Sequence, residues 1–254
     1  MHPATLSLDA GGTFFKSALV LPDGAIARGS LRSTPVNSNA PADEILAAYA
    51  SVIRSALADA SAAGLRLAAI AVSTPGPFDY ANATSLMPHK FPSIRGLNLR
   101  DALAKHLPET ATLPLRFICD AHAFLLGEMR HGNAAGHPNV LAITIGTGLG
   151  FAAASNGQIL QTPAGGPLIT IYTRPCRDAT IEDHVSHRGL LHLYQQHLRQ
   201  AAADNTHPAP EVPDIRSLAT LARSAPSVPS ALADAPQHGA QTKGSGGDAP
   251  AAAR

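Results

Sequence analysis

An apolar run near the start of the chain is interrupted by an acid and a pair of glycines. Residues 6–20 read LSLDAGGTFFKSALV, so Asp9, Gly11, Gly12 and Thr13 separate two stretches with the composition of buried strands. A simple hairpin turn accounts for the glycines. A turn whose amides approach an anion accounts for them equally, because glycine has no Cβ to hold a ligand away. Both interpretations predict a strand–turn–strand unit.

The same unit recurs in the second half of the chain. Residues 140–160 read VLAITIGTGLGFAAASNGQIL, with Gly146-Thr147-Gly148 at the break between the apolar stretches. The first unit ends at Asp23-Gly24 and the second at Asn156-Gly157, both of which are favoured tight-turn pairs. This internal repeat predicts a duplicated phosphate-binding architecture, with two glycine turns facing each other across a cleft.

The remaining patterns alternate between strands and helices. An apolar run predicts a strand at the start of LRLAAIAVSTPGPFD, residues 65–79, which passes into a loop stiffened by Pro75 and Pro77, and another predicts a strand over 115–119. Apolar residues at helical spacing, with glycines as stop signals, predict helices over residues 40–63, 100–107, 120–131 and 180–200, the last of them broken near Gly189. This alternation is typical of an α/β fold.

Composition restricts the class of protein. The chain has 254 residues, of which 45% are hydrophobic and 15% charged, and its net charge is +1, as expected for a globular protein of one large domain or two lobes. No basic block or cationic amphipathic helix predicts a nucleic-acid or membrane partner, and no leader peptide or membrane span is expected. The two cysteines, Cys119 and Cys176, favour a reducing cytoplasm over a disulfide scaffold.

Two sets of side chains fit phosphate chemistry. At the glycine turns, Thr13 and Thr147 offer hydroxyl groups and Lys16 offers a positive charge. Asp9, at the end of its strand, suits a Mg²⁺ ion held through water, since hard oxygen ligands suit that ion. Ordinary hairpins are the alternative for both turns.

Asp120 stands where a predicted strand passes into a predicted helix. The carboxyl edge of an α/β sheet is where ligands bind, so this carboxylate is a candidate for contact with a substrate hydroxyl. A helix N-cap that accepts the amide of His122 or Ala123 is the alternative, and the local sequence favours neither.

Four motifs in one order resemble the ROK family of bacterial sugar kinases and related repressors. They are Asp9-Ala-Gly-Gly-Thr13, Ser73-Thr-Pro-Gly-Pro77, Asp120 within CDAHAFLLGE, and ITIGTGLGFAAASNGQI over residues 143–159. The resemblance that rests on them covers roughly residues 4–200. The resemblance implies the actin-like, ribonuclease H-like ATPase fold, an α/β fold with two lobes.

The resemblance also implies roles for individual residues. Asp9 and residues Gly11 to Thr13 correspond to the part that binds phosphate and Mg²⁺, and Gly146-Thr147-Gly148 to the second phosphate side. Asp120 corresponds to the catalytic base. The sugar side is expected to include Gly76, Cys119, Asp120, Glu182 and, from the loop MPHKFPSIRGLNL, His89 and Lys90.

Several positions depart from the family pattern. Cys119 replaces the usual Asn before the base, and Lys90 replaces another Asn. Gly166 and Ile169 replace the Glu and His of a GEIGH motif. The family's zinc motif is reduced to RPCRDATIEDHVSH, in which Cys176 is the only cysteine, so no zinc is expected despite His184 and His187.

The end of the chain also departs from the family. From residue 224 to 254, 21 of 31 residues are Ala, Pro, Gly or Ser, which predicts disorder. The expected organisation is an N-terminal lobe over 1–118, a partial C-terminal lobe over 119–223 and this tail over 224–254. The family's adenosine-binding elements have no visible counterpart in this sequence. A frameshift or truncation of the coding sequence would explain their absence. The second lobe is therefore expected to be incomplete, with an uncovered apolar face and weak ATP binding.

The sequence thus predicts a cytoplasmic protein that binds ATP, Mg²⁺ and a small sugar. The expected reaction is ATP-dependent phosphorylation of a hexose or aminohexose hydroxyl, impaired where adenosine contacts are missing. One alternative is a sugar-binding or regulatory protein without its own DNA-binding domain, since only eight residues precede Asp9. Another is a poorly folded product. A homodimer is left open.

Overall fold

The computed structural model describes residues 1–110 and 112–203, all within one compact unit, Met1–Pro208. The strands are β1 (His2–Ala10), β2 (Phe14–Val20), β3 (Arg32–Pro35), β4 (Leu65–Thr74), β5 (Phe78–Asp79), β6 (Thr84–Ser85), β7 (Leu115–Cys119), β8 (Val140–Ile145), β9 (Leu149–Ser155), β10 (Gln158–Ile159), β11 (Pro175–Cys176) and β12 (Ala179–Thr180). The helices are α1 (Ala42–Ala62), α2 (Leu99–His106), α3 (Asp120–His131), α4 (Ile181–Val185) and α5 (His187–Ala203). The predicted tail over 224–254 lies outside the described residues.

The larger sheet has five strands in the order β3-β2-β1-β4-β7. Strand β1 pairs antiparallel with β2 and parallel with β4, and β4 pairs parallel with β7. The strands predicted at the start of residues 65–79 and over 115–119, and the helix predicted over 120–131, are confirmed. Because β1, β4 and β7 run in the same direction, the residues that follow all three strands lie at one edge of the sheet.

Helix α1 covers one face of this sheet. Leu6 and Leu8 of β1 point towards it and are almost completely buried. Phe15 of β2 is also buried, and its ring centroid lies 4.5 Å from that of Tyr49 in α1. Asp9 alternates with these residues along β1 and is exposed on the opposite face, so the candidate site and the core occupy different sides of the sheet.

The second glycine turn joins two strands of a smaller sheet. This sheet has the order β10-β9-β8, and each neighbouring pair is antiparallel, as in the predicted repeat. Helix α3 packs against β8 and β9. Leu141, Ile143 and Ile145 alternate along β8 and are 72%, 52% and 60% exposed, so one face of this sheet is apolar.

Helix α1 is also long and apolar enough to meet a length-and-composition criterion for a membrane span. Its buried residues include Ile45, Tyr49 and Ile53, which belong to the same core as Leu8 and Phe15 of the sheet. A core helix of a folded domain meets the same criterion, so this property of α1 is explained by its packing.

The helix expected over 180–200 is divided near Gly189, as predicted, with the break at Ser186. Ser186 separates α4 from α5, and Gly189 lies inside α5. A Cβ added at Gly189 would overlap the Asp183 carbonyl oxygen of α4. The predicted break near Gly189 is therefore confirmed, three residues before the glycine, while Gly189 itself permits close approach of two helices.

The difference in burial between two leucines predicts how much each substitution by alanine destabilises the fold. Leu8→Ala removes a fully buried side chain and should lower the free energy of unfolding by about 2–5 kcal/mol. Leu31→Ala is the matched control, because Leu31 is 70% exposed, and should change it by less than about 0.5 kcal/mol. Urea denaturation of both variants measures the difference, and equal losses would contradict the placement of the core.

Candidate active site

The carboxyl edge of the larger sheet brings together the ends of its three parallel strands. Asp9 of β1 is paired in register with Ser73 of β4, and Thr74 of β4 with Cys119 of β7, which is followed directly by Asp120. The Ser73 hydroxyl donates a 2.9 Å hydrogen bond to Oδ1 of Asp9. Parallel pairing thus places two carboxylates from distant parts of the sequence on one edge.

The first glycine turn follows β1 immediately. The Gly11 amide donates to the Asp9 carbonyl at 3.2 Å, whereas the amides of Gly12 and Thr13 have no acceptor among the described residues. A Cβ on Gly11 would lie 2.8 Å from the Phe14 carbonyl oxygen, so only glycine fits there. The turn therefore presents free N–H donors, the chemistry that an anion requires.

Lys16 and Lys90 supply positive charge around this turn. Lys16 is the cross-strand partner of Asp9, so both side chains lie on the face of the sheet opposite α1. The side chain of Lys90 crosses over Gly12, with its Cε 3.3 Å from the position of an added Cβ. The adjacent His89 is exposed.

The second glycine turn is held by a carboxylate from α4. Oε2 of Glu182 accepts a 2.7 Å hydrogen bond from the Leu149 amide, directly after Gly148. The Gly146 carbonyl accepts the amide of His187 at 2.8 Å, while the Thr147 amide has no described acceptor. Glu182 was expected on the sugar side, but in this structure its carboxylate lies against the second turn.

Asp120 is the first residue of α3, and Cys119 occupies the N-cap position. Oδ1 of Asp120 accepts the Ala121 amide at 2.7 Å and lies 3.5 Å from the Cys119 sulfur. The alternative in which Asp120 caps the helix through His122 or Ala123 is not what the structure shows. The carboxylate is exposed, so it is open to a ligand at the sheet edge.

Burial keeps the neighbouring Cys119 thiol neutral. Desolvation raises the pKa of Cys119, and the negative charge of Asp120 raises it further. The thiol therefore donates to Asp120 and does not compete with it as an anion. A buried thiol makes weaker hydrogen bonds than the Asn amide common in the family at this position.

Sequence analysis missed two residues beside Asp120. The Tyr80 hydroxyl donates to the Thr74 carbonyl at 3.1 Å, and burial raises the pKa of this phenol. His122 is fully buried, neither of its ring nitrogens has a hydrogen-bond partner among the described residues, and burial lowers the pKa of its imidazole. His122 is two residues from Asp120 and so had a local signal, whereas Tyr80 is brought there only by the fold.

The Gly76 loop lies against the same tyrosine. A Cβ on Gly76 would lie 3.5 Å from the Tyr80 hydroxyl oxygen. Tyr80 also packs against Gly165, in the loop after β10. The Tyr80 amide donates to the Ala164 carbonyl at 2.8 Å. Gly76 is therefore near the end of β4, as its predicted role on the sugar side requires.

The remnant of the zinc motif has another arrangement. Nε2 of His184 lies 2.9 Å from the Cys176 carbonyl oxygen and 3.5 Å from an Asp178 carboxylate oxygen. Within residues 1–110 and 112–203, no group of three or more His, Cys, Asp or Glu side chains is placed to hold a metal ion. The expected lack of zinc stays a prediction, which elemental analysis of the purified protein tests.

The contact between Gly148 and Glu182 yields a matched pair of variants. A Cβ on Gly148 would lie 2.7 Å from Oε2 of Glu182, so Gly148→Ala must displace the carboxylate from the Leu149 amide. We expect a loss of about 1–3 kcal/mol in the free energy of unfolding. Gly146→Ala meets no atom within 4 Å and should cost less than about 1 kcal/mol. Thermal denaturation that ranks the two variants in the opposite order would contradict this contact.

Burial also predicts which cysteine reacts first. Cys119 is 4% exposed and has a raised pKa, whereas Cys176 is half-buried. Because the thiolate is the reactive form, iodoacetamide at neutral pH should modify Cys176 well before Cys119. Peptide mass spectrometry over a time course measures both rates, and faster modification of Cys119 would show that the sheet edge is more open than described.

Three comparisons place the chain among known proteins. A glucokinase of Thermotoga maritima is 27% identical over 231 residues, which cover 86% of this chain and 69% of that protein. An N-acetylmannosamine kinase of Escherichia fergusonii is 30% identical over 162 residues, covering 63% of this chain and 50% of that protein. A glucokinase structure from Streptomyces griseus, in complex with glucose and AMPPNP, superposes with a TM-score of 0.62 at 24% identity, covering 79% of this chain and 62% of that one.

The chain thus spans between half and about seven-tenths of the length of these three proteins. The superposition confirms the actin-like ATPase fold expected from the motifs. A family model matches residues 5–235, beyond residue 200, where the resemblance was expected to end. On this match, the chain belongs to the ROK family.

Proposed function

We propose that this chain transfers a phosphoryl group from ATP to a hydroxyl of a hexose or aminohexose. The observation that carries the proposal is the carboxyl edge of the larger sheet. There Asp9 and Ser73 lie near the ends of β1 and β4, and Asp120 directly follows β7, next to a glycine turn with free amides. Phosphoryl transfer depends mainly on positioning and on stabilising charge, and this edge supplies both.

Asp120 is proposed to accept the proton of the attacking sugar hydroxyl. Its carboxylate is exposed at the first turn of α3, and Ala121 and Cys119 both contact one oxygen, Oδ1. The other oxygen, Oδ2, has no hydrogen-bond partner among the described residues and is free to accept from a sugar. A carboxylate positioned in this way acts as a general base within hydrogen-bond reach of its substrate.

The first glycine turn is proposed to bind the transferred phosphate. The free amides of Gly12 and Thr13, the Thr13 hydroxyl and the Lys16 ammonium group are the donors. The turn at Gly146-Thr147-Gly148 is proposed to hold the other phosphates of the nucleotide. Because Glu182 already binds beside this second turn, a phosphate there would have to coexist with its negative charge.

Asp9 fits the Mg²⁺ ion that accompanies ATP in such reactions. Ser73 donates to Oδ1, which fixes the carboxylate, and Oδ2 has no partner among the described residues. Hard, partly hydrated cations bind through one or two carboxylates together with phosphates. When bound, the ion would neutralise phosphate charge, while the role of Asp9 itself is to present an oriented oxygen.

The names of the relatives support this class of substrate. The two curated relatives described above are named for glucose and N-acetylmannosamine, a hexose and an aminohexose. Family membership alone does not separate a kinase from a regulator, because the motifs resemble both. A regulator would bind sugar without releasing ADP, so a panel of sugars assayed for both binding and ADP release separates the two functions.

The role of Asp120 is tested by its amide. Asp120→Asn keeps the shape of the side chain but removes the base, so kcat should fall by about 10²–10⁴. ATP affinity should change little, because the carboxylate faces the sugar. Coupled-enzyme detection of ADP measures turnover, and calorimetry measures ATP binding.

Asp43→Asn serves as the matched control. Asp43 is an exposed acid in the first turn of α1, on the helix that covers the other face of the sheet, and its replacement should leave turnover unchanged. Wild-type turnover in Asp120→Asn would remove Asp120 from the mechanism. Sugar binding without ADP release by the wild-type chain would favour the regulatory function.

A further inference from the structure

We propose that Lys90 is a ligand of the terminal phosphate, bound together with the first glycine turn. This inference rests on the proposed function and assigns a role to a side chain that replaces an Asn of the family pattern. The resemblance places Lys90 in a loop on the sugar side, but in the structure its side chain lies over Gly12. This position of the side chain is the reason to assign Lys90 to the phosphate turn.

The contacts around Gly12 define the pocket. From the position of a Cβ on Gly12, Cε of Lys90 is 3.3 Å away and the Ser38 hydroxyl oxygen 3.5 Å. The Gly12 amide has no acceptor among the described residues. The aliphatic part of the Lys90 side chain, the Ser38 hydroxyl and a free amide thus lie together at one glycine. With the ammonium group at the end of that side chain, they offer the kinds of donor that a phosphate oxygen requires.

Among the described residues, the ammonium group of Lys90 has no anionic partner. No ion pair and no hydrogen bond joins its side chain to any residue in the described ranges 1–110 and 112–203. The side chain is nonetheless half-buried, so it does not extend freely into solvent. A half-buried cation without a partner, beside free amides, leaves room for an external anion.

The next residue explains why Lys90 points towards the turn. Phe91 has φ 51° and ψ 46°, a left-handed conformation that bulky residues rarely adopt, and its side chain is fully buried. Its ring centroid lies 6.1 Å from that of Phe15. Phe15 is in β2, two residues after Thr13, the last residue of the turn. The core thus fixes the backbone at the point where Lys90 leaves it.

Hydrogen bonds hold the loop on both sides of this point. The Leu86 amide donates to the Pro77 carbonyl at 3.2 Å, and the Gly96 amide to the Ser85 carbonyl at 2.7 Å. The Ser93 hydroxyl donates to the Ala40 carbonyl at 2.7 Å. A rare backbone conformation kept in a well-anchored loop is a frequent feature of ligand-binding sites, and here it directs a cation at the phosphate turn.

Lysine labelling tests the proposal without relying on catalysis. The chain has four lysines, at positions 16, 90, 105 and 243, so each is resolved by peptide mass spectrometry after reductive methylation. A saturating concentration of ATP or of inorganic tripolyphosphate should slow labelling of Lys90 severalfold. AMP should not protect it, and Lys105, an exposed residue of α2, should be labelled equally in every sample.

Comparing ATP with tripolyphosphate shows whether Lys90 responds to the phosphate chain or to the nucleoside. Protection by both ATP and tripolyphosphate supports a site for the phosphate chain itself. Protection by ATP alone would mean that Lys90 responds to the nucleoside and would overturn the proposal. Labelling of Lys90 at an unchanged rate with both compounds would overturn it as well.

Variants separate a phosphate role from a sugar role. Lys90→Met should weaken tripolyphosphate binding by about tenfold to a hundredfold, as expected for loss of a hydrogen bond to a charged group. Lys90→Arg should restore most of the affinity, and Lys105→Met should match the wild type. Glucose binding, where it is measurable, should be unchanged in Lys90→Met. Weaker glucose binding with intact tripolyphosphate binding would instead place Lys90 on the sugar.

This inference and the proposed function fail in different ways. If tripolyphosphate protects Lys90 but the chain releases no ADP with any sugar, the phosphate-binding role of Lys90 stands and the proposed kinase activity fails. If the chain releases ADP but Lys90 is never protected, the kinase activity stands and the phosphate-binding role of Lys90 fails. Circular dichroism of each variant shows that it is folded before binding is compared.

Discussion

Parallel pairing of β1, β4 and β7 is the constraint on which the candidate site depends. Asp9, Ser73 and Asp120 span more than a hundred residues of sequence from first to last. Only a common strand direction places them at one edge of the sheet. The hydrogen bond from Ser73 to Asp9 joins two of these strands where they end. Helix α1 packs on the face of the sheet opposite Asp9.

The two glycine turns have the same local design but different surroundings. The first has free amides, the nearby Lys16 and Lys90, and a backbone clash that excludes any residue but glycine at position 11. The second is already contacted by the carboxylate of Glu182. The repeat therefore gives one turn with positive charge and one that carries a negative charge from the protein. This difference favours the first turn as the place of the transferred phosphate.

Local patterns predicted the elements well, and tertiary contacts explain what they did not predict. The strand over 115–119 and the helix over 120–131 were predictable because hydrophobic spacing and Gly132 define them within a few residues. The position of Tyr80 was not predictable, since it depends on neighbours distant in the sequence. Lys90 was identified as a ligand candidate, but its direction depends on the backbone of Phe91 and its burial beside Phe15.

A crystal structure of the chain with AMPPNP and glucose tests the central claim most directly. The account predicts the terminal phosphate at the Gly11–Thr13 turn and a sugar hydroxyl within about 2.6–3.2 Å of an Asp120 carboxylate oxygen. A terminal phosphate bound away from this turn, or a sugar whose hydroxyls all lie beyond reach of Asp120, would contradict it.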